Sequence, residues 1–237
     1  MTLDERVVLV TGATGPVGRS VATTFASAGA RLVLAGSDRD RLASMADELA
    51  LPEHRWVPAA GDLRDPAAAT QAVSIAVERF GRLDAVLHLV GGWVGGTAVV
   101  DLDPAELGGM LDQHLWSTLH VAKAAIPIMV GQGWGRFVGV SSPFATDPGP
   151  RGASYAIAKA AEEVLLRTLS RELGGSGVTA NILVVRTVDA EHEREAAPSP
   201  KNAGWTTPEE VAGAMLLLCS PGSEAINGAR IPLYGRS

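Results

Sequence analysis

The sequence predicts an α/β fold: a parallel sheet with helices wound over both faces. Two observations carry this. Short apolar, β-branched runs alternate with longer helix-like runs along the whole chain, which is the signature of successive βαβ units. Some strand-like runs, such as "LDAVLHLVGG" (83–92), are apolar almost throughout instead of alternating, as strands covered on both faces are. With 237 residues, 46% hydrophobic and 19% charged, the chain can bury a sizeable core and lacks the composition of a disordered protein.

The elements follow in order. "RVVLVTG" (6–12) is the first strand, and "GRSVATTFASAGA" (18–30) a helix stopped at Gly29. "RLVLAG" (31–36) is the second strand. "DRDRLASMADELA" (38–50) is an amphipathic helix with its charges outward. "RWVPAAGD" (55–62) reads as a third strand despite Pro58. Asp65-Pro66 opens a helix that runs to Gly81, Pro being tolerated in a first turn. The fourth strand is 83–92, a long helix covers roughly 103–130, and "GRFVGVSS" (135–142) is the fifth strand. A helix over 152–174, a strand over 178–185, a helix over 207–220 and a strand over 229–234 complete the pattern. The one long irregular stretch is 186–206. No linker or repeat divides the chain, so 1–237 is expected to form a single domain.

Several function classes are disfavoured. A net charge of −6 and a pI near 5.4 do not suit a nucleic-acid surface. No apolar run reaches the roughly 20 residues of a membrane span. The acidic start "MTLDERVVLV" does not resemble a secretory signal. The single cysteine, Cys219, cannot form an internal disulfide, so a cytoplasmic location is expected. His54, His88, His114, His120 and His192 make no metal-ligand spacing, and no metal site is expected.

In parallel sheets of this kind ligands bind at the carboxyl ends of the strands. The first strand delivers "TGATGPVG" (11–18), with Gly12, Gly15 and Gly18 spaced G-x-x-G-x-x-G. Between a strand and a helix, such glycines let backbone N–H groups approach a pyrophosphate, and the helix N-terminus adds positive dipole. A tight turn is the plainer alternative. The fifth strand delivers Ser142. Thirteen residues on stands Tyr155, with Lys159 one helical turn later on the same face. A free phenol ionises near 10, and a neighbouring ammonium favours its phenolate. A serine hydroxyl can donate to a carbonyl oxygen on which negative charge develops. A lone Tyr-x-x-x-Lys is more often a packed phenol with a lysine reaching solvent.

Together these pieces make the chain resemble the short-chain dehydrogenase/reductase family. The resemblance rests on the order and spacing of "TGATGPVG", "GDL" (61–63), "LDAVLHLVGG", "SS" followed by "YAIAK", and "TPEEVA" (207–212). It implies a Rossmann-type sheet of seven parallel strands and hydride transfer between NAD(P) and a carbonyl or alcohol. Tyr155 would exchange the proton with the substrate oxygen, Ser142 would polarise that oxygen, and Lys159 would hold the nicotinamide ribose. Gly12, Thr14, Gly15, Pro16, Val17, Ser37, Asp62, Leu63, Val90, Gly91, Tyr155, Lys159 and Thr187 would line the cofactor, with Asp62 on the adenine. A small-molecule substrate, and a homodimer or homotetramer built through the helices 103–130 and 152–174, are implied too.

The departures from the family's pattern are informative. The usual Asn-Asn-Ala-Gly after the fourth strand reads His88-Leu89-Val90-Gly91. The Asn of the long helix is replaced by His114, expected as a proton-relay residue because imidazole ionises near physiological pH. Packing of His114 beside Leu115 and Met110 at a subunit contact is the alternative. The Pro-Gly after the sixth strand is Val185-Arg186. "VGGWVGG" (90–96) and "TVD" (187–189) are locally similar to dihydropteridine reductase, which makes a pterin or quinonoid substrate the second reading. A non-catalytic nucleotide sensor is the third. Strand two ends Ala35-Gly36-Ser37 without the acid that holds the ribose of NAD. NADP(H) is therefore expected, with Ser37, Arg39 and Arg41 near the 2′-phosphate, while NAD(H) is left open by Asp38. His88 and Cys219 read as core residues, Trp93 as either a loop plug or a pocket wall, and 189–195 as a solvated segment.

Overall fold

The computed structural model describes residues 3–234. Seven strands form one parallel sheet in the order β3-β2-β1-β4-β5-β6-β7. They are β1 (Val7–Thr11), β2 (Arg31–Gly36), β3 (Trp56–Ala60), β4 (Ala85–His88), β5 (Gly135–Ser141), β6 (Val178–Val185) and β7 (Arg230–Leu233). The helices are α1 (Pro16–Ser27), α2 (Arg39–Glu48), α3 (Pro66–Phe80), α4 (Pro104–Leu111), α5 (Ser117–Gln132), α6 (Ala153–Glu172), α7 (Glu193–Ala196) and α8 (Pro208–Cys219). Pro58 is accommodated because β3 is an edge strand, paired only with β2.

The period of two along each strand divides the core. Val8, Val10, Leu32, Leu34, Leu87 and Leu183 point to one face, where α1, α2 and α8 cover them. Val7, Leu9, Val33, Val86, Ile182 and Val184 point to the other, under α3, α5 and α6. All the strands of the inner sheet are therefore apolar on both sides. The order reverses between β1 and β4, which leave β1 flanked by β2 and β4. The crevice above that reversal is where a ligand fits such a sheet.

The long helix expected over 103–130 is interrupted. A π-helical turn, Asp112–Trp116, separates α4 from α5. Two hydroxyls hold it open: Ser117 Oγ donates to the carbonyl of Gln113 and Thr118 Oγ1 to that of His114, each at 2.6 Å. Side-chain donors at i−4 displace the regular ladder, and the wider turn brings His114 inward. The fourth strand is shorter than expected, ending at His88. Residues 89–98 carry no regular structure. The 186–206 stretch contains α7 and one bridge between Val188 and Thr206. Asp189 there is buried, not solvated, because its carboxylate accepts from the backbone N–H groups of Glu193 and Arg194.

Candidate active site

Two cavities meet at the carboxyl ends of the strands, sharing Leu89, Val90 and Gly91 as a wall. The first, about 440 Å³, is lined by Gly12, Thr14, Gly15, Ser37, Asp62, Leu63, Val90 and Gly91 from the sequence-derived set. Gly36, Gly61, Arg64, Leu89 and Gln113 also line it and were not anticipated. The second, about 320 Å³, brings together Val17, Val90, Gly91, His114, Tyr155, Lys159 and Thr187. Trp93, Val140, Ser141, Val185, Arg186 and Val188 complete it. Pro16 lies outside both linings, at the first position of α1. Ser142 also lies outside them. It opens a turn in which its Oγ accepts from Phe144 N at 3.3 Å, while Ser141 faces the second cavity.

The glycine loop is shaped for close approach. Gly12 has φ +63°, and a Cβ there would stand 2.8 Å from the carbonyl oxygen of Leu89. A Cβ on Gly18 would stand 2.5 Å from the carbonyl oxygens of Gly12 and Ala13, so α1 packs on the loop only with glycine. At Gly15 the nearest atom to a Cβ is 3.4 Å away. Gly15 thus keeps its α-carbon bare toward the cavity, and as N-cap of α1 it makes no side-chain cap bond. A loop closed behind and bare in front, at a helix N-terminus, fits a dinucleotide pyrophosphate.

In the same cavity, Arg64 Nε lies 3.0 Å from Asp62 Oδ1 and Arg64 Nη2 2.6 Å from Oδ2. These hydrogen bonds hold the Asp62 carboxyl below its usual range. Arg39 and Arg41 do not line the cavity. Asp38 caps α2, with its Oδ1 accepting from the N–H groups of Asp40 and Arg41.

The site rests on a buried polar chain. Leu89 N donates to Thr11 Oγ1 at 3.0 Å, Thr11 Oγ1 lies 3.1 Å from His88 Nδ1, and His88 Nε2 lies 3.3 Å from Ser117 Oγ. Burial, aided by the charge of Lys159, depresses the His88 pKa to about 3. His88 is therefore a neutral core histidine that ties the end of β4 to β1 and α5. His114 Nε2 lies 3.0 Å from the carbonyl oxygen of Gly92. Its ring stands edge-on to Tyr155, the centroids 5.5 Å apart. Burial also drives the His114 pKa to about 3. A ring so shifted is neutral near physiological pH, unlike the titrating imidazole expected of a relay, and it packs against Tyr155 and Gly91.

Lys159 is buried on α6 and donates to the carbonyl of Val140 and to Glu162 Oε2, each at 2.7 Å. Phe144 stands edge-on to Tyr155 as well, centroids 6.1 Å apart. Tyr155 at the cavity wall thus touches two rings. Trp93 is 62% exposed at the mouth, a pocket wall more than a plug. Cys219 is a core residue whose thiol is pushed up to about 12 by burial. Among the described residues there is no group of acids, histidines and cysteine able to hold a metal, and no helix long and apolar enough to cross a membrane.

The comparisons with known proteins agree with this geometry. The family described as enoyl-(acyl carrier protein) reductase matches residues 12–235. An uncharacterized oxidoreductase of Staphylococcus aureus (strain N315) is 29% identical over 214 residues, 90% of each chain. An A-factor type gamma-butyrolactone 1′-reductase of Streptomyces virginiae is 27% identical over 248 residues, 98% of this chain and 95% of the relative. The crystal structure of a short chain dehydrogenase from Bacillus anthracis superposes with a TM-score of 0.86 at 26% identity, covering 98% of this chain and 95% of that one. The fold, the glycine loop and these matches make the chain a member of the short-chain dehydrogenase/reductase family and an NAD(P)-dependent oxidoreductase.

Proposed function

We propose that the chain, working as one catalytic unit, reduces a carbonyl compound to an alcohol, or the reverse, with Tyr155 as the proton donor and acceptor. The observation that carries this reading is the convergence of Tyr155, Lys159 and His114 on one cavity that shares a wall with the glycine-loop cavity. The nicotinamide cofactor supplies or takes the hydride. The chain's own residues do the rest. Gly12 and Gly15 give the pyrophosphate its backbone bed, and Lys159, fixed by Val140 and Glu162, places a charged donor at the inner wall. Tyr155 Oη passes its proton to the substrate oxygen. Ser142 stands just outside the lining, next to Ser141; it accepts from Phe144 N, so its own hydroxyl hydrogen is left to turn toward that oxygen.

Val140, Val185, Val188 and Trp93 give the second cavity apolar walls around about 320 Å³, which suits a small, largely apolar carbonyl compound. The relative named for a gamma-butyrolactone supports the same class. NADP(H) is the favoured cofactor. Ser37 lines the adenosine end, no acid follows it into the cavity except Asp62, and Asp62 is already engaged by Arg64. Arg64 takes the place that Arg39 and Arg41 were expected to fill. The protein works as a homodimer or homotetramer, in the cytoplasm; exposed Trp116, Ile157 and Val164 on the π turn and α6 are apolar ground for such contacts. Following cofactor oxidation with a panel of ketones, quinones and pterins, with cofactor binding measured in parallel, tests the reading. Binding without turnover of any of them favours a nucleotide sensor.

A further inference from the structure

A carboxylic acid that the catalytic reading uses only to fix Lys159 lies directly beside that ammonium. Glu162 is 1% exposed. It follows Lys159 by three residues on the inner face of α6, packed over Gly139 of β5. Its neighbours come from three elements: Lys159 Nζ at 2.7 Å from Oε2 on α6 itself, Thr118 Oγ1 at 3.2 Å from Oε1 on α5, and His114 Nδ1 at 3.9 Å from Oε2 on the π turn. Glu163, next along α6, is engaged by Arg230 instead.

Counting hydrogens leaves one contact in this cluster short. Thr118 has one hydroxyl hydrogen, and two acceptors lie within its reach, the carbonyl oxygen of His114 at 2.6 Å and Glu162 Oε1 at 3.2 Å. The shorter contact takes that hydrogen, because the carbonyl can only accept. The longer one is then filled only by a hydrogen on Oε1 that points back to Thr118 Oγ1. His114 Nε2 faces the Gly92 carbonyl and therefore carries the ring hydrogen. Nδ1 is a bare acceptor, buried and without a hydrogen bond, so no donor from His114 offsets a carboxylate charge. Burial raises the proton affinity of Glu162 above the usual range, with the charge of Glu163 adding to it, and outweighs the opposing pull of Lys159 and of a hydrogen bond donated by Thr118.

We propose that Glu162 is a positioning residue that works as a neutral acid: it anchors the Lys159 ammonium through Oε2 while a proton on Oε1, shared with Thr118, leaves the charge of Lys159 uncompensated toward Tyr155. When Glu162 ionises, the ammonium acquires a partner and its influence on the phenol falls. The proposal rests on Tyr155 and Lys159 being the working pair, but its first test does not. In cofactor-free protein at about pH 7, where exposed carboxyls are ionised, infrared spectroscopy should show the carbonyl stretch of a protonated carboxyl. That band should be missing from Glu162→Gln and shifted in Thr118→Val, so a poorly folding Gln variant still leaves a reading. With cofactor and an established substrate, the alkaline limb of the pH–kcat profile should lose the ionisation contributed by Glu162 in Glu162→Gln. Glu162→Asp should restore it. No protonated-carboxyl band in the wild type, or an alkaline limb identical in Glu162→Gln, overturns the proposal. An inactive Tyr155→Phe alongside either result leaves the catalytic reading standing on its own.

Discussion

The imidazole of His114 stands edge-on against the phenol of Tyr155 at an interplanar angle of 81°, with its Nε2 held by the carbonyl of Gly92. The contact braces the ring of Tyr155, as the edge-on contact with Phe144 does. His114→Ala should therefore lower kcat by loosening Tyr155. It should not remove an ionisation between pH 5 and 8, because the His114 pKa lies at about 3. A pH–rate profile that loses a limb near neutrality in a stable His114→Ala enzyme would show that the ring titrates after all.

Acid stability follows from the two buried histidines. Their folded pKa values, about 3, lie below the unfolded value of 6.5. Above 6.5 both states are neutral and their stabilising effect is fully present. As pH falls from 6.5 toward 3 the unfolded chain takes up protons that the folded one does not. Each histidine then costs up to about 1.4 kcal/mol per pH unit. Denaturant unfolding of His88→Gln should show a shallower loss of stability across this window than the wild type. Parallel curves would mean that His88 is not neutral in the folded protein.

Removing Lys159 has two expected consequences. Cofactor affinity and rate should both fall, since the ammonium serves both. Stability should fall in a pH-dependent way, because Glu162 is left buried without its cation. Its folded pKa lies above the unfolded value, so the protein is favoured at low pH and loses stability as pH rises through the folded pKa. The deficit of Lys159→Met should grow with pH toward the roughly 3–5 kcal/mol of a broken buried pair. Adding Glu162→Leu should recover much of it. A deficit independent of pH would contradict this.

Cofactor choice can be read by titration. NADPH should bind with the lower Kd, and Arg64→Ala should weaken NADPH more than NADH. Arg39→Ala and Arg41→Ala should leave the ratio of the two nearly unchanged, since both lie outside the cavity lining. A clear preference for NADH in the wild type contradicts the assignment.

Much of this was legible in the sequence. Strand and helix order, the parallel sheet and the glycine loop follow from local patterns: period-two apolar faces, glycines between strand and helix, Asp-Pro helix starts. Tyr155 and Lys159 are four apart on one helix, so their common face is fixed by helical geometry alone. What stayed hidden depends on distance in the chain. Glu162 reads as one of two ordinary helix acids, Glu162-Glu163. Only the approach of α5 and the π turn to Glu162, and of Arg230 to Glu163, distinguishes them. The π turn was hidden because Ser117 and Thr118 look like unremarkable helix residues until their hydroxyls are seen on the carbonyls of Gln113 and His114. The low pKa of His114 comes from burial beneath residues 91–92, which no spacing announces. The place of Arg64 in the cavity lining depends on its side chain turning back to Asp62, whereas Arg39 and Arg41 sit closer in sequence to the end of β2.

The most direct test of the catalytic reading is Tyr155→Phe. On an established carbonyl substrate, kcat should fall by about 10²–10⁴-fold, the usual contribution of a positioned proton donor, while the Kd for cofactor changes little. Wild-type turnover in Tyr155→Phe would contradict the assignment of the proton to Tyr155.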